Sequence, residues 1–221
     1  MTGYGQFCAV ARAQEILGGR WTLLVVREML CGSRRFNDIR RGIPRISRTV
    51  LSERLQALME VGAVRHLGHD YELTEAGKEL ASLVHASAVW GQKWLPRDAK
   101  TEDIDLEPVL IDMQRRVRDG ALPKDPFVLR IAVPNFKPRF LLLSIGQSAL
   151  CTHNPGFREA IALSGPLHAL VAWWRGDASL AQAQRMGLKL NGPKKLVREF
   201  PDWFERYAFA DIEPAPKAAA A

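Results

Sequence analysis

Apolar residues in the first half of the chain recur at helical spacing, in blocks punctuated by glycine. Cys8 to Leu17 reads as a short helix stopped by Gly18-Gly19, and Trp21 to Leu30 as a second, stopped by Gly32. Arg35 to Arg41 forms a third, with Phe36 and Ile39 three apart on one face. Pro44 disfavours helix at Ile43, which makes Gly42-Ile43-Pro44 a turn. Ser47 then stands where it can cap a helix running to about Val61 and ended by Gly62. In that helix Leu51, Leu55 and Leu58, widened by Val50 and Met59, make one apolar face. Arg48, Thr49, Ser52, Glu53 and Gln56 fall on the opposite side. Two alternating runs, 63–67 and 70–73, flank Gly68-His69 and predict a hairpin. Thr74 caps a last helix, and Glu75 supplies an acid in its first turn. Ala76, Leu80, Leu83, Val84, Trp90 and Trp94 keep helical spacing up to Pro96.

The pattern changes after that proline. Residues 99–107 carry four acids and read as a linker. Leu106 to Arg118 returns to helical spacing, with Gly120 as its stop. Strand-forming runs follow at 127–133, 139–145, 149–153 and 159–163, the first three closed by proline, glycine and asparagine respectively. Helices are expected from Ser164 to Gly176, over 179–186 and over 194–200, with a fifth short strand at 188–191. The alanine-rich end, 211–221, reads as a disordered tail. The fold class expected is α+β. A mainly helical unit with a two-stranded wing (1–98) and a linker (99–107) precede a smaller α+β unit of about five strands (108–210).

Composition narrows the function classes. With 221 residues, 47% hydrophobic and 25% charged, the chain has material for one large or two small cores. Its longest apolar runs, such as Phe140-Leu141-Leu142-Leu143, fall far short of the ~20 residues of a spanning helix. The start has neither the basic nor the apolar segment of a secretory signal, so a cytoplasmic address and no membrane partner are expected. Cys8, Cys31 and Cys151 are widely spaced and form no metal-ligand pattern, so no metal or other cofactor is expected. The net charge of +7 matters less than where it sits. Residues 20–54 hold nine arginines, three acids and no lysine. Arginine bonds phosphate and guanine edges bidentately.

Helices, a helix with a polar face, a hairpin and a long helix, in that order, make a winged helix-turn-helix. The base-reading group expected is Arg48, Thr49, Ser52 and Gln56, beginning at Ser47, with Arg34, Arg35, Arg45 and Arg54 at phosphates. Arg65, His66 and His69 of the wing are expected to touch the backbone. The same stretch resembles the HxlR-type regulators of bacteria and archaea. The resemblance rests on Phe7-Cys8-Ala9-Val10, Leu17-Gly18-Gly19-Arg20-Trp21-Thr22-Leu23-Leu24, Arg35-Phe36-Asn37-Asp38-Ile39, Ile46-Ser47, Leu51-Ser52-Glu53-Arg54-Leu55 and Tyr71-Glu72-Leu73-Thr74-Glu75-Ala76-Gly77. It covers about residues 5–94. It implies a homodimer built through 8–17 and 75–94 and bound to an inverted repeat in double-stranded DNA. Two departures are Ala9, where the family often has proline, and a wing tip of only Gly68-His69, where the family's is longer and more basic. Cys8 stands where some members carry a redox-sensing thiol; the alternative is a buried structural residue.

Residues 159–204 resemble, through Trp173-Trp174-Arg175-Gly176, Asp177-Ala178-Ser179-Leu180 and Gly187-Leu188-Lys189-Leu190-Asn191-Gly192, the closing half of the sterol-carrier-like fold. That implies a cavity for a hydrophobic effector, with Phe140, Leu142, Trp173, Trp174 and Met186 as candidate lining; the alternative is that these residues fill their own core. His153, His168, Asp177 and Asp202 come with no nucleophile elbow, paired-histidine motif or phosphate loop, so an enzyme is not expected. The function expected is a DNA-binding regulator, a repressor, controlled by a hydrophobic small molecule. The alternative is a carrier of hydrophobic ligands whose first half only dimerises.

Overall fold

The computed structural model describes residues 3–97 and 104–216. Backbone contacts divide the chain into two compact units, Met1–Trp90 and Gly91–Ala221. Residues 99–103 of the expected linker and 217–221 of the expected tail lie outside the described residues.

The first unit holds α1 (Ala9–Leu17), α2 (Thr22–Leu30), α3 (Phe36–Gly42), α4 (Arg48–Glu60), β1 (Val64–Leu67), β2 (Asp70–Leu73), α5 (Glu75–Glu79) and most of α6 (Ala81–Trp94). Its core joins Val25, Val26 and Met29 of α2, Ile39 of α3, Ile43 and Ile46 of the turn, and Leu51, Leu55 and Leu58 of α4. Gly42 closes α3 where there is no room for a side chain: a Cβ there would lie 2.0 Å from the buried Glu28 carboxylate of α2. Arg27 pairs with that carboxylate at 2.5 Å and also donates to the Gly42 carbonyl at 3.3 Å, so two side chains of α2 hold the end of α3.

The hairpin pairs Val64 with Leu73, Arg65 with Glu72, His66 with Tyr71 and Leu67 with Asp70. Gly68 takes the left-handed backbone (φ 61°) that the tight tip needs. A third segment joins it. The Tyr71 N–H donates to the Arg34 carbonyl at 2.8 Å, and Arg35 forms an antiparallel bridge with Asp70. β2 is therefore flanked on both sides.

The helix expected over 75–94 is two helices. The Leu80 N–H bonds back to Gly77 at 3.3 Å, a tightened turn that ends α5; the Val84 N–H bonds to the Leu80 carbonyl at 3.0 Å as α6 takes over. Gly77, in α5, is buried so closely that its Cβ would meet the Ala63 carbonyl oxygen at 2.0 Å. α1 has no buried residue, and Phe7, Val10, Leu83 and Trp90 are exposed.

The second unit is a five-stranded sheet with helices packed on one face. β3 (Phe127–Ala132), β4 (Arg139–Leu143), β5 (Ala149–Cys151), β6 (Glu159–Ser164) and β7 (Lys189–Asn191) lie in the order β5-β4-β3-β6-β7. Only β3 and β6 are parallel. Alternation sends Phe127, Leu129, Ile131, Leu141, Leu143, Ile161 and Leu163 into the core. There they meet α7 (Leu106–Arg115), α8 (Leu167–Arg175) and an aromatic group of Trp174, Phe200, Trp203 and Phe204. α9 (Leu180–Arg185), opened by a Ser179–Gln182 capping box, and α10 (Lys194–Glu199) complete it.

The helix expected to reach Arg118 stops at Arg115. The next backbone groups are taken elsewhere: the Arg118 N–H donates to Trp203 and the Glu205 N–H to Arg116, both at 2.7 Å. Asp177 accepts from Arg97 at 2.8 Å and from Arg175 at 2.5 Å, while the Ala215 N–H donates to the Lys93 carbonyl at 2.8 Å. Among the described residues no helix is long and apolar enough to cross a membrane.

Gly77→Ala tests the packing at the base of the hairpin. In an open helix this change adds stability of up to about 1 kcal/mol. Here the neighbour is a backbone carbonyl that cannot swing away, and the expected cost is about 1–3 kcal/mol. A thermal melt followed by circular dichroism is expected to show a lower midpoint; a raised one contradicts the close approach.

Candidate nucleic-acid interface

α4 carries the largest group of sequence-predicted site residues. Ser47 caps it, its hydroxyl accepting the Val50 N–H at 3.2 Å. The burial of Leu51, Leu55 and Leu58 turns Arg48, Thr49, Ser52 and Gln56 outward, where all four are exposed. Arg48 leans toward α3: Nη2 donates to Asn37 Oδ1 at 3.2 Å, and the guanidinium lies 5.7 Å from the centre of the Phe36 ring. Gln56 donates to Glu60 at 3.1 Å, one turn further on.

Arg54 does not join this group. Its side chain is turned toward the α1–α2 junction, where a Cβ on Gly19 would lie 2.7 Å from Nη1. Its Nε is buried. The side chain is 24% exposed and pairs with Glu53 at 3.9 Å, and the glycine leaves room for it. Arg45 is exposed in the turn before α4.

The wing residues form a charged cluster at the base of the hairpin. Glu72 Oε1 accepts from Arg34 Nη1 at 2.9 Å, and Oε2 from Arg65 Nη2 at 2.9 Å and Nε at 3.3 Å. Arg35 pairs with Asp70 at 3.6 Å. The Arg65 bonds, with the Arg34 and Lys78 charges behind them, hold the Glu72 carboxyl below the ordinary carboxylate range, partial desolvation opposing them. His66 stacks on Tyr71 with ring centres 4.3 Å apart, and His69 is exposed at the tip. Sequence reasoning passed over Glu72 and Asn37. The first carries the wrong sign for a DNA surface, and only the register that sets it opposite Arg65 reveals it.

Cys8 is exposed at the start of α1. The backbone N–H groups of Ala11 and Val10 draw its thiol below the usual range. Among the described residues no group of three or more His, Cys, Asp or Glu could hold a metal ion.

The five residues expected to line a cavity in the second unit are not brought together. Trp173 and Trp174 pack on the helical side of the sheet, against Phe200 and Phe204 respectively. Trp174 Nε1 also donates to Asp112 at 2.8 Å. Phe140 and Leu142 alternate with the inward-facing Leu141 and Leu143, so they stand on the other face. Met186 is exposed.

The profile of the HxlR-like helix-turn-helix family matches residues 16–99. The HTH-type transcriptional regulator Rv3095 of Mycobacterium tuberculosis is 42% identical over 96 residues, 40% of this chain and 60% of that protein. The chain therefore spans less than two thirds of that relative's length. The HTH-type transcriptional regulator YvaP of Bacillus subtilis is 36% identical over 91 residues, 38% of this chain and 84% of that protein. Among solved structures, the quinone-bound YodB of B. subtilis is 34% identical and aligns over 38% of this chain and 96% of that one, with a TM-score of 0.35.

The environment of Cys8 has a measurable consequence. In a variant with Cys31→Ser and Cys151→Ser, alkylation of Cys8 by iodoacetamide is expected to have a pH midpoint below that of a free thiol. A midpoint at or above the free-thiol value contradicts thiolate stabilisation by the Ala11 and Val10 N–H groups.

Proposed function

Because the chain belongs to the HxlR-like helix-turn-helix family, we propose that it is a DNA-binding transcriptional regulator, acting as a homodimer on an inverted repeat and repressing by occupying its operator. The observation that carries this reading is α4. It is capped at Ser47 and buried along Leu51, Leu55 and Leu58, and it presents Arg48, Thr49, Ser52 and Gln56 on one exposed face. A major groove about 12 Å wide admits such a helix, and these side chains have the donors and acceptors that base edges require. Arg34, Arg35, Arg45 and Arg65 stand around it as phosphate contacts that set register and orientation. The two-residue tip keeps His66 and His69 at the backbone.

The dimer reading is supported by apolar residues on α1, just before it and on α6. Phe7 is fully exposed and Trp90 is 58% exposed, with Val10 and Leu83 also uncovered. Exposed apolar side chains in such number mark an interaction surface. A two-fold axis through it sets two copies of α4 on half-sites about 34 Å apart.

Control by a hydrophobic molecule in the second unit completes the proposal. The molecule acts only by favouring one spacing of the two recognition helices over another. The sterol-carrier-like reading of that unit is supported by the turns around Gly176 and Gly187 and by a sheet with helices packed on one face. On this reading a single pocket lies on one side of the sheet, because Phe140 and Leu142 stand on the opposite face from Trp173 and Trp174.

Two measurements test the proposal. By fluorescence anisotropy, Arg48→Ala is expected to narrow the gap between operator and mixed-sequence DNA by about 1–3 kcal/mol. Arg34→Ala is expected to weaken binding to both equally and to lower the salt slope by about one unit. Neither effect appearing means that the surface is misassigned. By native mass spectrometry the protein is expected to be a dimer and Trp90→Asp a monomer; a monomeric wild type overturns the paired half-sites.

A further inference from the structure

Glu72 is an acid in the middle of the surface assigned to DNA. β2 of the two-stranded wing is flanked on both sides. β1 lies on one side, with Arg65 directly opposite Glu72, and residues 34 and 35 pair on the other. Each carboxylate oxygen is engaged by a different arginine: Oε1 by Arg34 at 2.9 Å, Oε2 by Arg65 at 2.9 and 3.3 Å. The Glu72 side chain is 24% exposed, while those of Arg34 and Arg65 are 63% and 59% exposed. The group carries a net charge of +1, with its acid at the base and its two cations outward.

Ion pairs this exposed contribute little to folding. An acid kept only for charge balance would be a liability beside a polyanion. What the geometry supplies is restraint. A free arginine samples many rotamers, and binding must freeze it; an arginine already bonded through one edge has lost that freedom beforehand. Arg34 uses one nitrogen on Glu72 and Arg65 uses two, so each guanidinium has N–H groups beyond those bonds.

We propose that Glu72 is a positioning residue that presets Arg34 and Arg65 as a two-pronged clamp for the DNA backbone, so that an acidic side chain strengthens binding to a polyanion. This rests on the DNA-binding reading above. The phosphates recognised are those of a duplex, and sequence plays no part in the clamp.

The test is the sign of an effect. Full-length protein is titrated with labelled duplex DNA of mixed sequence at low salt. Glu72→Ala adds one positive charge to the surface, and charge alone makes it bind more tightly. The clamp requires the opposite, a loss of about tenfold, because two arginines must then be ordered on binding. Glu72→Gln keeps the side-chain shape but turns an amide N–H toward one of the two arginines, and a smaller loss is expected. When Arg34→Ala and Arg65→Ala are already present, Glu72→Ala is expected to leave binding unchanged or to tighten it, a reversal that a merely structural role does not produce. Thermal melts within a few degrees of wild type confirm that the variants fold. If wild type binds DNA and both Glu72 variants bind as tightly or more tightly, the clamp is wrong and the DNA-binding reading stands. If wild type binds no duplex at low salt, both fall.

Discussion

The polar surface of the first unit depends on three leucines. Leu51, Leu55 and Leu58 seat α4 in a core shared with Val25, Val26 and Met29 of α2. A helix of period 3.6 that buries those positions has no choice but to present Arg48, Thr49, Ser52 and Gln56 outward. Each buried leucine contributes roughly 1.5–3 kcal/mol, and a domain is stable by only about 5–15. The contact therefore cannot be loosened to adjust the surface without unfolding what carries it. The Glu28 carboxylate against Gly42 works on the same core from the other side, fixing where α3 ends and so where the turn into α4 begins.

Much of this was legible in the chain because its signals were local. Ser47 as a cap and Gly68 at a tight tip are set by chemistry within a few residues, and alternation marked the strands of the second unit. The misreadings came from contacts distant in sequence. Nothing within 75–94 signals that Gly77 must lie against Ala63, and the break at Leu80 was hidden in a regular apolar pattern. The helix from Leu106 stops early because Arg116 and Arg118 bond to residues 203–205, nearly ninety positions away. The candidate cavity residues were grouped by hydrophobicity, which does not record on which side of a sheet a residue stands.

Net charge was a weak guide for a related reason. Four half-buried arginines of the second unit serve its own structure. Arg97 and Arg175 share Asp177, and Arg97 also donates to the carbonyls of Gln92 and Ile212. Arg116 pairs with Asp112, which also receives the Trp174 indole. Arg139 pairs with Glu107 at 3.0 Å. In the first unit Arg34, Arg35 and Arg65 stay exposed even where paired. Exposed cations remain in both units, among them Arg12 and Arg48 in the first and Arg130, Arg158 and Lys195 in the second, so total charge does not mark one surface.

The pairing of residues 34 and 35 with β2 has a consequence for the other partner in binding. Those residues lead directly into α3, and α3 is joined to α4 by one short turn. Hairpin and α4 are consequently held at a set separation by backbone bonds, with little slack to adjust. On the proposed mode of binding, the accommodation passes to the DNA. Sequences whose groove width already matches that separation, or whose base steps bend cheaply toward it, are favoured at positions that no side chain touches.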